Sequence, residues 1–127
     1  MEQEGERFEP TKGERTMSRG FVAQYAAEAA MQTPGVASLQ TGGLAGIKEA
    51  LGVEHEGKGV VVVYHDENAD LVTLHIYPVI YFGSIVPEVA WAVQERVKAD
   101  VERFTGLSVE AVHVHVVGIR SREELQP

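Results

Sequence analysis

The chain has 127 residues, enough for one domain, and its 44% hydrophobic content suffices for a core of modest stability. It contains no cysteine, which excludes disulfides, thiolate metal sites and cysteine nucleophiles. The formal net charge is −8, from 19 acidic and 11 basic residues, a balance that disfavours binding to nucleic-acid phosphates. Apolar runs such as Val60–Tyr64 are far too short to span a membrane, and the polar, acidic start carries no secretory signal. The absence of cysteine fits a cytoplasmic protein, and with no direct membrane insertion expected, any membrane association is made through a partner.

Residues 1–17 are rich in Glu, Gly, Lys and Thr without apolar periodicity, and are expected to form a flexible N-terminal tail. A single domain is expected over residues 18–120. Ser18 is placed to cap a helix, with Met17 and Val22 as a hydrophobic staple across the cap. Phe21, Val22, Tyr25, Ala26, Ala29 and Ala30 recur at helical spacing and predict one buried face, ended by Pro34-Gly35. Val36–Gln40 reads as a short strand. Leu44–Leu51 reads as a brief helix closed by Gly52, within a glycine-bearing stretch. Gly59–His65 is nearly all valine and predicts a strand. Asp66–Asp70 has turn chemistry and Leu71–Ile80 completes a hairpin, with Pro78 marking an edge or bulge. Ser84 is expected to cap the longest helix, with Pro87 in its first turn. Its apolar stripe comprises Val86, Val89, Ala90, Val93, Val97, Val101 and Phe104, and Gly106 ends it. Val109–Ile119 is a final strand, and residues 121–127 form a polar C-terminal tail.

The order α-β-β-β-α-β predicts an α+β, two-layer fold: a mixed four-stranded sheet with two main helices on one face. The helix joining the third and fourth strands should make a crossover between parallel strands. The other sheet face is left without a helix.

Three stretches carry a resemblance. They are Thr33–Leu39 leading into Gly42–Gly46, then Lys58–Val62, and then Tyr81–Ala90 continuing through Val93-Gln94, Val97-Lys98 and Phe104–Leu107 to Val112–Val116. In this order the chain resembles the bacterial alkaline-shock (envelope stress response) protein family over residues 18–119. The resemblance implies a cytoplasmic stress-response protein of the cell envelope, often held near the membrane by a membrane-anchored partner and prone to self-association as a homo-oligomer. It implies no catalytic residues, no cofactor and no enzyme activity. Family members commonly carry a more strongly charged tail than this chain does.

His113 and His115 are the sharpest chemical feature, since side chains two apart on a strand point to the same face. His75 has the parity to join them, and three imidazoles could bind zinc with an open position. The plainer alternative is a polar histidine cluster on a partner-covered sheet surface. The Gly42–Lys48 segment lacks both the P-loop ending and the full dinucleotide spacing. Its Gly-Leu-Ala-Gly core mimics an RNA-binding clamp loop, which suggests a nucleic-acid-binding module as an alternative function. The carboxylates Glu54, Glu56, Asp66, Glu67 and Asp70 fall in expected loops and read as solvated charge. Trp91 on the long helix is a potential partner anchor.

The leading expectation is a non-enzymatic scaffold or assembly protein. Its self-association surface is expected on the uncovered face, formed by Thr73, His75, Tyr77, Val79, His113, His115 and Val117. A His-based metal-binding protein remains the other alternative.

Overall fold

A computed structural model of the chain describes residues 19–40, 55–57, 59–65 and 67–125. The elements are α1 (Arg19–Met31), β1 (Val36–Leu39), β2 (His55–Gly57), β3 (Val60–His65), β4 (Asn68–Ile76), β5 (Pro78–Tyr81), α2 (Val86–Thr105), β6 (Ser108–Val114) and β7 (Gly118–Arg120). A 3-10 turn at Arg122–Leu125 follows. The fold is α+β, with two main helices as expected. The Ser18 cap, the Met17 staple, the Leu44–Leu51 helix and the Gly42–Lys48 loop lie outside the described residues.

The single four-stranded sheet is corrected to two sheets. One has the order β1-β5-β7 and the other β2-β3-β4-β6. They are halves of one surface, because β4 and β5 are separated only by Tyr77. Tyr77 donates its N–H to the Gly59 carbonyl at 3.1 Å, and its own carbonyl accepts from the Gln40 N–H at 3.0 Å. On the other side the N–H groups of His115 and Val117 bond the carbonyls of Ile76 and Pro78. The hairpin β3-β4 is antiparallel, and β6 runs parallel to β4, as the crossover through α2 requires. The strand β2 was not expected, so Glu56 lies in a strand rather than a loop. The turn after β3 is also tighter than expected, since strand pairing resumes at Asn68.

The last strand carries two irregularities that simple alternation does not reveal. Val72 pairs with Val109 but Thr73 pairs with Ala111, which leaves Glu110 as an extra residue. Ile76 pairs with Val114 and Val79 with Gly118, so His115–Val117 lie opposite only Tyr77 and Pro78.

The core sits between the helices and one sheet face. Val89, Val93, Val97 and Val101 of α2 meet Val60, Val62, Val72, Leu74, Ile76 and Val112 of the sheet. Each buried valine contributes about 1.5 kcal/mol or more through apolar burial. From α1, Val22 and the alanines 23, 26, 27, 29 and 30 are buried, and their small side chains let the helix sit close. Phe21 and Phe104 depart from expectation, being 56% and 51% exposed. Phe104 instead stacks on Tyr25 across the outer seam of the helices, centroids 5.4 Å apart.

Gly35 joins α1 to β1 with φ 99°, and a Cβ there would lie 2.6 Å from the Val89 Cγ2, so glycine lets α2 seat against this turn. The cap of α2 is Ile85, which makes no side-chain hydrogen bond, rather than Ser84. Pro87 occupies the first turn, where its missing N–H leaves no carbonyl wanting. Gly106 ends α2 in the left-handed region, donating its N–H to the Glu102 carbonyl.

Candidate functional site

Among the described residues, no helix packs on the second sheet face, and strand parity decides what it holds. Leu74 and Ile76 point into the core, so Thr73, His75 and Tyr77 point away from it. Direct pairing of Thr73 with Ala111 and of His75 with His113 carries β6 into the same face. The structure thus brings His75, His113 and His115 together, as the sequence predicts.

Their arrangement is specific. The Nδ1 of His75 lies 3.0 Å from the Nε2 of His115, so one ring donates and the other accepts. These two rings are 15° from parallel with centroids 5.2 Å apart. That separation leaves little beyond the N···N contact and the two ring radii, so the rings meet edge to edge rather than face to face. His113 packs against His75 at 4.9 Å and 27°, and Tyr77 against His115 at 4.8 Å and 15°. Burial, reinforced by the neighbouring His113 and His115, lowers the His75 pKa from 6.5 to about 4. Burial and then His113 also lower that of His115. Both shifts favour the neutral form of the bonded pair.

Tyr77 and Val79 are corrected as contact residues. They are only 2% and 3% exposed, with Tyr77 packed beside Val61, so neither is open to a partner. Thr73 and His75 are half-buried, whereas His113, His115 and Val117 are exposed. Trp91 is 63% exposed beside Pro87, Glu88 and Ala92 along a shallow apolar groove.

The sequence reading missed a second polar group on this face. The Nε2 of His65 lies 2.8 Å from Glu110 Oε1 and 3.0 Å from Thr73 Oγ1. A hydroxyl, an imidazole and a carboxylate suggest a nucleophile, a base and an orienting group. Both contacts fall on one ring nitrogen, however, and a base needs one nitrogen for the nucleophile and the other for its orienter. The bulge at Glu110 turns this carboxylate toward His65, and no motif signalled it. Exposed Phe82, Ile85 and Ile119 were likewise not singled out. Among the described residues, no group of three or more histidine or acidic side chains forms a metal-binding set, and no helix is long and apolar enough to cross a membrane.

Residues 7–121 match the model of the alkaline-shock protein 23 family, whose function is given as cell envelope-related. The chain is similar to the uncharacterised protein YqhY of Bacillus subtilis, 35% identical over 92 residues covering 72% of this chain and 66% of that protein. It is 29% identical to the uncharacterised protein YloU of the same organism over 110 residues, 85% of this chain and 89% of that protein. Among solved structures, a MamM CTD variant aligns with a TM-score of 0.48 at 19% identity, covering 81% of this chain and 99% of that one. The chain belongs to the alkaline-shock protein 23 family of cell envelope-related function.

Proposed function

We propose that this protein is a non-enzymatic assembly component of the envelope stress response, working through protein contacts and self-association as a homo-oligomer. The observation that carries this reading is the exposure of large apolar side chains around the end of the last strand. Val117 and Ile119 are about half exposed, and Phe82, whose N–H bonds the Arg120 carbonyl, is 76% exposed. Ile85 and Trp91 extend the exposed apolar set into the turn before α2 and onto its first half. Scattered apolar exposure is ordinary, but side chains tied to one strand end form a patch suited to a protein partner. The non-enzymatic part rests on the chemistry of the sheet face, where His75 and His115 bond each other and His65 shares a single nitrogen between two groups. We place the protein in the cytoplasm, held near the membrane by an anchored partner that Trp91 helps to engage.

Light scattering of the wild type against Val117→Glu and Ile119→Glu tests this. A charge on the patch desolvates badly in an interface but costs the exposed monomer little. Each variant is expected to form a smaller particle than wild type with unchanged circular dichroism. Wild-type size in both variants, or a monomeric wild type at high concentration, refutes assembly through this patch.

A further inference from the structure

We propose that His75 and His115 form a chelating site for a divalent transition-metal ion of the nickel or copper kind, with water completing the coordination. The starting point is the 3.0 Å separation of His75 Nδ1 and His115 Nε2. Two nitrogens bound at right angles to one ion, with bonds of about 2.1 Å, stand about 3.0 Å apart, against about 3.4 Å in a tetrahedral site. The spacing therefore already suits neighbouring positions of a square-planar or octahedral ion.

What must change is direction, because the two nitrogens now point at one another across a shared proton. His115 is exposed and begins the irregular 115–117 stretch, so its ring can pivot while its backbone N–H stays bonded to Ile76. His75 is fixed from its other side by the His113 ring. The proton balance closes without loss of a proton. The ring that donates moves its hydrogen to its other nitrogen, and both rings bind as neutral imidazoles. Neither ring is held as a cation at neutral pH, since burial and the neighbouring imidazoles oppose protonation. The net charge of −8 adds a long-range field that concentrates cations. With two protein ligands the ion is held exchangeably, not as a resident structural metal.

The test is calorimetric titration of the full chain with Ni²⁺ near neutral pH, in parallel with His75→Gln, His115→Gln and His65→Gln. One ion per chain is expected, with binding weakened about tenfold or more in each of the first two variants and unchanged in the third. Circular dichroism confirms that the variants are folded. If the wild type binds no nickel, or if the double variant His75→Gln/His115→Gln binds as well as wild type, the site does not exist. Equal weakening in His65→Gln overturns the assignment to this pair. Particle size measured in metal-free buffer reports on the assembly patch separately.

Discussion

His75 is the residue on which the sheet face turns, being half-buried, hydrogen-bonded to one imidazole and packed against another. Its folded pKa of about 4 lies below the ordinary 6.5. Between those values the unfolded chain binds more protons than the folded one, so acid in this window favours unfolding. The stability lost as pH falls from about 6.5 to about 4 is expected to be about 1 kcal/mol, since partial exposure discounts the full 1.4 kcal/mol per pKa unit. Replacing His75 by Gln removes that contribution. Urea midpoints at near-neutral pH and at about pH 4.5 should therefore fall less for His75→Gln than for wild type. Parallel losses in the two proteins would show that His75 does not titrate across this window. The shared face of the three histidines was legible in the sequence because strand parity is strict. The edge-to-edge contact was not legible, since it depends on ring rotation. The burial of Tyr77 and Val79 also escaped alternation, which gives the face of a side chain but not its cover.

Among the elements, the strands with clear alternation were readable and the junctions were not. The set Val72, Leu74 and Ile76 points into the core, as its pattern requires, whereas His-Glu-Gly in β2 is too short and too polar to announce a strand. In α1 five of the nine non-polar positions are alanine, too small to fix the buried direction on their own, and Phe21 ended outside. Gly59 shows how tightly such a junction is built. It opens β3 with φ 82°, and a Cβ there would lie 2.7 Å from the Leu39 Cβ and 2.9 Å from both the N and O of Gln40. The obstruction is mostly backbone, where no rotamer can give way. Gly59→Ala combines a strained dihedral with this clash and should cost about 2 kcal/mol or more in urea unfolding. Gly83→Ala is the informative contrast. It has a similar φ of 93° but open space around the added carbon, so its loss should be smaller. Equal losses would mean that the dihedral alone matters and that the approach of β1 to β3 is unimportant.

For the whole molecule, the division into two sheets raises the question of whether they unfold together. The expected α+β order and the helix-covered face are present, and the edge or bulge that Pro78 predicts takes the form of a break at Tyr77. It falls beside Pro78, which cannot donate to the ladder. Pairing nevertheless continues across the break, through Tyr77 to Gly59 and Gln40 on one side and through His115 and Val117 on the other. The core is also common property: Val36 and Ile80 of the three-stranded sheet belong to the same buried cluster as Val60, Val72 and Leu74 of the four-stranded one. Freeing β1 would break the Gln40–Tyr77 hydrogen bond and expose Val36, and would also uncover the turn on which Val89 seats. We therefore expect one cooperative transition, in which the buried amides of both sheets exchange with a common opening free energy. Native-state hydrogen exchange decides this by comparing the Tyr81 N–H, bonded to the Gly35 carbonyl, with the Tyr77 N–H, bonded to the Gly59 carbonyl. If the Tyr81 amide opens at a distinctly lower free energy than the Tyr77 amide, the three-stranded half is a separate unit. The assembly patch, which β7 and the turn at Phe82 carry, would then form on the less stable half of the molecule.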